Sequence, residues 1–330
     1  MSKKVVAALA VVVVVIFVLA VIAMSQPKAL NVVTQEDRLN SIPSDAVKQG
    51  PDTDLHKPVM RSSLWSQPVP MPGPVNTAGA EDSPFITANG TWFFFFFTPD
   101  VSIPAERQLI DGVTGIWWTQ KTAEGWSFPE KIILSDDVAL DGAEFVLGDT
   151  LWFASVRAGN LGEIDVYTAQ YEDGNWQDVK NAGEQLNVDY DIGEFHITSD
   201  GNTMYFHSGK WAAGENMDIW KTQKTSSGWD TPVRVPGVNN ASTDDGYPYI
   251  SADGGQLLFT STSSHGYAGP AIYRSVLQAN GTWSAPEEIV SNFAGEPTMD
   301  DAGNLYFVHH YYEGSTMLEA DIYMCQWLGS

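Results

Sequence analysis

Residues 250–262 read ISADGGQLLFTST, an Asp-Gly pair followed by an apolar run. Asp-Gly and Asn-Gly pairs beside apolar runs are strong signals of a tight β-hairpin, because both residues tolerate positive φ. Three further segments align around a tight turn followed by an apolar strand: ITANGTWFFFFFT (86–98), ITSDGNTMYFHSG (197–209) and MDDAGNLYFVHHY (299–311). A fifth, FVLGDTLWFASVR (145–157), fits with a shorter turn. The recurrence predicts five hairpins of one kind.

Each hairpin is followed by a third apolar strand and, in four repeats, by an outer segment that starts with tryptophan. The third strands are GIWWTQK, IDVYTAQ, MDIWKTQ, PAIYRSV and ADIYMCQ, and the outer segments start at Trp126, Trp176, Trp229 and Trp283. Equivalent phenylalanines lie roughly 50 residues apart, the size of a four-stranded propeller blade. The sequence therefore predicts an all-β fold, a five-bladed β-propeller.

The missing fifth outer segment lies at the other end of the repeat array. WSQPVPMP (65–72) precedes the first repeat and matches WDTPVRVP (229–236). We expect this N-terminal segment to form the outer strand of the last blade, which closes the ring and removes an unpaired sheet edge. Residues 63–330 are thus assigned to the propeller.

Residues 245–273, DGYPYISADGGQLLFTSTSSHGYAGPAIY, resemble the WD40-like repeat of TolB-type propellers. The aspartate expected before the Ile-Tyr pair is present as Asp165, Asp218 and Asp321, but the first and fourth repeats have Gly115 and Ala271 there. The resemblance implies a binding or assembly module outside the cytoplasm, without a catalytic signature. The fold alone does not define a function.

The N-terminus predicts attachment to a membrane. Residues 5–24 form an uncharged apolar run, long enough to span a bilayer, and Lys3 and Lys4 precede it. On the positive-inside rule, residues 1–4 form a cytoplasmic tip and the propeller lies on the extracytoplasmic side of the cell membrane. A cleaved signal peptide is the alternative, in which case the protein is secreted. Residues 25–62 lack a sustained period and are predicted to be a flexible linker.

The charge balance restricts the partners. The chain of 330 residues has 41 acidic and 17 basic residues, a formal net charge of −24. A nucleic-acid partner would require a basic surface, so nucleic acid is excluded as a partner. The expected partners are a protein or a carbohydrate outside the membrane, together with the membrane itself through the N-terminal helix.

Acidic residues precede the innermost strand of each repeat, so the channel mouth is the candidate site. The hairpin register predicts Glu194 opposite His207 and Glu296 opposite His309. These four residues and Trp211, which lies in a loop, form the predicted ligand-binding set. No cofactor is predicted, a divalent cation is possible, and no metal ligands are assigned. A purely structural role for the acids, capping loop amides in every blade, remains open.

The alternative function is an exported glycoside hydrolase of the five-bladed arabinanase and furanosidase type. Glycoside hydrolysis uses two carboxyl groups, one of them with a raised pKa. If the protein is such an enzyme, Asp82 is the candidate base, and Glu144, Glu194 or Glu296 supplies the acid. Our first interpretation remains a non-enzymatic binding module that uses one face of the propeller.

Overall fold

The computed structural model describes residues 32–190, 192–209 and 216–329. Within these residues the strands form five antiparallel sheets, and the first strands of the sheets contact one another around a central channel. This is the arrangement of blades in a propeller. The predicted five-bladed fold is confirmed. We call the end of the molecule at which these first strands begin the top face.

The described elements follow the repeats. Before the first blade come α1 (Gln35–Ser41), β1 (Val59–Met60) and β2 (Val69–Pro70). Blade 1 contains β3 (Ala80–Ile86), β4 (Trp92–Thr98), the short helix α2 (Ala105–Gln108), β5 (Gly115–Thr122), β6 (Gly125–Trp126) and β7 (Glu130–Lys131). Blade 2 contains β8 (Ala139–Leu147), β9 (Thr150–Arg157), β10 (Asp165–Glu172) and β11 (Asn175–Asn181), and a π-helical turn (Gln185–Tyr190) leads to blade 3.

Blades 3 to 5 complete the ring. Blade 3 contains β12 (Phe195–Ile197), β13 (Thr203–Ser208), β14 (Asp218–Thr225), β15 (Gly228–Trp229) and β16 (Val233–Arg234). Blade 4 contains β17 (Gly246–Ile250), β18 (Gln256–Thr262), β19 (Pro270–Val276) and β20 (Glu287–Ser291). Blade 5 contains β21 (Ala294–Met299), β22 (Leu305–Glu313) and β23 (Thr316–Cys325).

The five consecutive phenylalanines form most of β4, the second strand of blade 1. Phe93, Phe94, Phe95 and Phe97 are fully buried, although neighbouring residues on a strand point to opposite faces. Both faces of this strand are covered because blade 1 packs between two other blades, and doubly buried strands have continuous apolar sequences. The run is therefore explained by its place in the propeller core.

The N-terminal closing strand is present. β2 pairs with β23 and so forms the outer edge of blade 5, with Val69 opposite Met324. Upstream of β2, Trp65 bridges to Trp327. The prediction that residues preceding the first repeat complete the last blade is confirmed.

The flexible linker predicted for residues 25–62 disagrees with the structure wherever the segment is described. Val33 begins the compact unit that contains the propeller. The helix α1 is capped by Thr34 in a capping box and buries Arg38, while β1 adds a fifth strand to blade 4 by pairing with β20. The amino-acid composition did not predict that this segment is ordered, because the residues that it contacts lie far away in the sequence.

Three residues of this N-terminal segment form polar contacts with blades 1 and 5. Arg38 binds Glu81 at 2.6 Å, Lys48 forms ion pairs with Glu319 and Asp321, and Asp54 Oδ2 lies 2.9 Å from His309 Nε2. The predicted membrane-spanning run, residues 5–24, lies outside the described residues. Among residues 32–190, 192–209 and 216–329, no helix is both long enough and apolar enough to cross a membrane.

Candidate functional site

One level of acidic residues at the top face has a structural role. At the start of the first strand, three blades carry a buried acid at equivalent positions, and each is bound by its neighbours. They are Glu81, bound by Arg38 and Thr77; Asp141, bound by Arg157 and Ser155; and Asp245, bound by the Asn240 N–H and Thr243. Satisfied buried carboxyls of this kind stabilise loops, as the capping interpretation expects.

Immediately below this level the first strands bulge. The pairing shifts by one residue between Asp82 and Phe85 in blade 1, and at equivalent places in blades 2, 4 and 5. The bulge residues have positive φ although none is glycine: Ser83 (45°), Ala143 (51°), Tyr247 (53°) and Glu296 (52°). Such φ values are uncommon for residues with a side chain, and β-bulges re-aim side chains next to functional sites.

Four carboxyl groups, which we call the acid cluster, lie at or next to the bulge position: Asp82, Glu144, Glu194 and Glu296. Glu194 occupies the equivalent position in blade 3, where the pairing of β12 with β13 has no register shift, and Glu296 is the bulge residue of blade 5. Asp82 precedes the bulge position, where the other four blades have glycine, and Glu144 follows it, where blades 1, 4 and 5 have proline. The acid cluster therefore arises from three different positions of the repeat and is not one cap repeated in every blade.

Three members of the acid cluster, Glu144, Glu194 and Glu296, border a small cavity in the channel. Its volume is about 50 Å³, enough for a few water molecules and well below the roughly 300 Å³ of the smallest usual small-molecule pockets. Glu144, Glu194, Glu296 and Tyr247 contribute polar groups to its wall. The rest of the wall is mainly aromatic rings and prolines: Phe85, Phe145, Phe195, His196, Tyr249, Pro84, Pro248 and Pro297.

Glu144 is the most unusual member of the acid cluster. The residue lines the cavity and is only 5% exposed, and neither carboxyl oxygen has a hydrogen-bond partner from another residue in the described parts of the chain. Burial, followed by the negative charges of Glu194 and Asp82, raises the pKa of Glu144 well above its usual range. A buried polar group without a partner is costly, and native proteins keep few of them.

The other three carboxyls divide into one ionised group and two that retain protons. Burial raises the pKa of Asp82, but His310, with Nε2 at 3.5 Å from Asp82 Oδ2, more than offsets this, so the pKa lies below its usual range. Burial and the charge of Asp82 raise the pKa of Glu194 to about 8. Burial and the charges of Asp82 and Glu194 also raise the pKa of Glu296, which accepts a hydrogen bond from Ser83 Oγ at 2.9 Å.

His207 lies beside the acid cluster but contacts backbone atoms. Its Nδ1 is 3.0 Å from the Tyr247 N–H and its Nε2 is 3.1 Å from the Glu194 N–H. A Cβ atom at Gly193 would come within 2.0 Å of the ring, so glycine is required there. Burial lowers the pKa of His207 to about 4, which keeps the ring neutral. His207 thus lies between the backbone N–H groups of Tyr247 and Glu194, and its neutral ring accepts a hydrogen bond from one of them. It contacts the backbone of Glu194 rather than its carboxyl.

The predicted pairing of Glu296 with His309 is wrong. Because the bulge inserts one residue, Ala294 lies opposite His309 and Gly295 lies opposite Val308. His309 is fully buried and binds Asp54 of the N-terminal segment, away from the channel. Counting residue pairs outward from the hairpin turn assumes an unbroken register, so the sequence did not predict this bulge.

Sequence reasoning missed two side chains of the site. Tyr247, in the segment DGYPYI, lines the cavity, and burial together with the charges of Glu296, Glu194 and Asp82 raises its pKa. His310 contacts Asp82. Neither residue stands out in the sequence, because Tyr247 is only a tyrosine before a proline and His310 is only the second histidine of a pair. The predicted ligand contact Trp211 lies outside the described residues.

We expect the free energy of unfolding to fall as the pH rises from about 5 to about 8. Folded protein holds a proton on Glu194 up to a pKa of about 8, whereas an unfolded glutamate loses it near pH ~4.3. Between these values the folded state binds more protons, so stability decreases with pH. Glu194→Gln should stabilise the protein by about 1–3 kcal/mol at pH 8 and change little at pH 5.

Thermal and urea unfolding at the two pH values measure this difference. Glu163→Gln, at an exposed loop acid of blade 2, is the matched control and should leave the free energy of unfolding unchanged at both pH values. Equal stabilisation of Glu194→Gln at both pH values would contradict the raised pKa.

Among the residues that the structure describes, no three histidine, cysteine, aspartate or glutamate side chains form a group that could hold a metal ion. The possible divalent cation therefore has no assigned ligands.

The fold and the site together define a class: a five-bladed β-propeller with an acid cluster in its channel mouth. No protein-family model and no curated protein matches the chain. Solved structures similar to it include a "putative TolB" from Agrobacterium tumefaciens, 15% identical with a TM-score of 0.43 over 73% of each chain. A protein of unknown function from Dyadobacter fermentans is 11% identical, with a TM-score of 0.45 over 82% of this chain and 99% of that one.

The catalytic domain of a GH62 α-L-arabinofuranosidase from Coprinopsis cinerea is also similar, at 10% identity and a TM-score of 0.46, over 80% of this chain and 97% of that one. At these identities and TM-scores the similarities assign no function.

Proposed function

We propose that the protein is a non-enzymatic binding module that captures a cationic group of its ligand at the channel mouth. The observation that carries this proposal is Glu144, a residue of the cavity wall whose two buried carboxyl oxygens have no hydrogen-bond partner from another residue of the described chain. A cation would supply the missing partner, and Glu194 and Glu296 stand in the same wall to share its charge. The formal net charge of −24 adds long-range attraction for a cationic ligand.

The top face offers further contact area for such a ligand. Val138, Leu161 and Ile164 are exposed on the top-face loops of blade 2, the blade that contributes Glu144. Exposed apolar side chains next to a polar site favour an interaction surface. The N-terminal segment makes its described ion pairs with blades 1 and 5 and its strand pairing with blade 4, rather than with blade 2.

A panel of cations tests the proposal. Full-length protein and Glu144→Gln would be titrated with calcium chloride, magnesium chloride, spermidine and methylguanidinium, with thermal unfolding as the readout. At least one cation should stabilise the parent protein, and Glu144→Gln should reduce that shift severalfold, while Glu163→Gln should retain it. Identical responses of all three proteins to every cation would overturn the proposal.

A second candidate function, glycoside hydrolysis, has one observation in its favour. The cluster combines a carboxyl of lowered pKa, Asp82, with one of raised pKa, Glu194, the division that a base and an acid require. Against it stands the cavity volume of about 50 Å³, which is too small for a sugar ring. Chromogenic furanosides and pyranosides decide between the two: turnover by the parent that is lost in both Asp82→Asn and Glu194→Gln would establish the enzyme.

We also propose that the apolar run at residues 5–24 anchors the propeller outside the cell membrane. Its support is the uncharged run of membrane-spanning length behind Lys3 and Lys4. Full-length protein should remain in the membrane pellet after alkaline carbonate extraction. Release of the propeller into the soluble fraction would support a cleaved signal peptide instead.

A further inference from the structure

The acid cluster combines two properties that together select one chemical class of cation. It offers several carboxyl oxygens around a narrow cavity, and that cavity is walled by aromatic rings and prolines. A group suited to both must present several N–H donors at its tip and apolar carbon behind it. We propose that the acid cluster is a binding site for a primary ammonium group carried on an alkyl chain.

This inference rests on the proposed function and narrows its ligand. Acidic side chains alone would not support it, but Glu144 provides an independent observation. The residue lines the cavity and is 95% buried, and both of its buried carboxyl oxygens lack a hydrogen-bond partner from another residue of the described chain. A buried acceptor without a partner in a residue of the cavity wall requires a donor, and an ammonium group has three donors and no acceptor.

The size of the cavity fits an ammonium tip. About 50 Å³ accommodates a few water-sized groups, and an ammonium nitrogen with its hydrogens is of that size. A planar guanidinium group presents five donors in a wide fork, so it needs a larger cavity than an ammonium group does. The compact ammonium head therefore suits this volume better.

The aromatic wall fits the rest of such a ligand. Phe85, Phe145 and Tyr247 line the cavity beside the carboxyls, so the methylene groups next to the nitrogen would lie against apolar rings. A cation over an aromatic face gains additional attraction, which is larger in a desolvated site. Carboxyl groups and aromatic rings in one wall recognise the charged tip and its carbon stem together.

The geometry of the cluster gives each carboxyl a separate role. Glu144 and Glu194 belong to neighbouring blades, and both line the cavity as potential acceptors for the ammonium hydrogens. Glu296 already accepts a hydrogen bond from Ser83, so it is a less available acceptor than Glu144 or Glu194. Asp82 is positioned by His310 and by the Ser83 N–H, and it provides the negative charge of the cluster.

Isothermal titration calorimetry and ligand-observed NMR would measure the binding of the probe, n-butylammonium chloride, to the full-length protein. Neutral n-butanol is the matched control ligand and should not bind. Glu144→Gln and Glu194→Gln should each weaken n-butylammonium binding at least tenfold, because a bound cation favours the ionised form of each carboxyl, which glutamine cannot adopt although it keeps the side-chain shape. Glu163→Gln, at an exposed acid, should leave binding unchanged, and thermal unfolding checks that each variant is folded.

Two probes distinguish the sources of such an ammonium group. A short acetylated peptide with a central lysine should bind tighter than n-butylammonium if the ligand is a partner protein, and its norleucine analogue should not bind. Tighter binding of n-butylammonium than of the peptide would indicate a free small amine. Both results support an ammonium site.

The outcomes that overturn the inference separate it from the proposed function. If calcium or methylguanidinium binds in a Glu144-dependent way and n-butylammonium does not, the ammonium inference fails and the cation-binding function stands. If n-butylammonium binds equally well to the parent protein, Glu144→Gln and Glu194→Gln, the inference fails because the site lies elsewhere. If no cation binds, both fail.

Discussion

Replacing Arg38 by alanine should lower the free energy of unfolding by about 3–5 kcal/mol, the range expected when one partner of a buried ion pair is removed. Arg38 and Glu81 are both fully buried and 2.6 Å apart. The guanidinium also donates to the Val75 carbonyl at 2.7 Å and lies over the rings of Phe95 and Phe97. The substitution therefore removes a charge partner, a hydrogen bond and packing together.

The loss should depend on pH. Burial raises the pKa of Glu81 to about 7 even with Arg38 beside it. Without Arg38 that pKa rises further, so at pH 5 the carboxyl is neutral and its burial costs less than at pH 8. We expect the destabilisation by Arg38→Ala to be smaller at pH 5 than at pH 8.

Urea unfolding of the full-length protein at the two pH values measures both effects. Arg61→Ala is the matched control, because Arg61 belongs to the same N-terminal segment and is exposed. Its cost should stay within about 0.5 kcal/mol. An Arg38→Ala protein as stable as Arg61→Ala would mean that the N-terminal segment does not pack on the propeller.

Replacing Trp65 by alanine is expected to cost about 3–5 kcal/mol, as for other buried tryptophans. Trp65 is 2% exposed and packs edge-on against Trp327, with ring centroids 4.9 Å apart. Its indole N–H donates to the Gly303 carbonyl at 2.8 Å. The residue lies immediately before β2, so its loss weakens the contact that closes blade 5 with the N-terminal segment.

Trp283→Ala is the control for position in the repeat. Trp283 starts the outer segment of blade 4 but is only partly buried, so its truncation should cost less. Chemical unfolding compares the two variants directly. Similar losses of stability in the two variants would show that Trp65 contributes no more than an ordinary blade residue. Closure of the ring would then add no stability at this site.

The acid cluster illustrates how a repeat fold builds a singular site. Glycine occupies the position of Asp82 in the other four blades, and proline occupies the position of Glu144 in three of them. The departures from the repeat, rather than the repeat itself, place carboxyls around the cavity. An aligned set of acids, such as Glu81, Asp141 and Asp245, instead serves the loops.

The sequence by itself determined the number of blades, their strand order and the use of residues before the first repeat to complete the last blade. These features follow from local chemistry repeated five times: tight turns that contain glycine, apolar strands, and tryptophan at the outer segment. It also named Asp82, Glu144, Glu194 and Glu296, because all four lie near the start of a first strand.

Only the tertiary structure decided which acids converge and which are caps. A β-bulge changes the register by one residue without a signature of its own, so Glu296 was placed opposite His309 when Gly295 and Ala294 occupy that region of the ladder. The order of the N-terminal segment likewise depends on Arg38, Lys48 and Asp54 meeting partners from 43 to 273 residues away. Composition and periodicity describe a residue's neighbours in the chain, whereas these contacts depend on where five packed blades bring distant residues together.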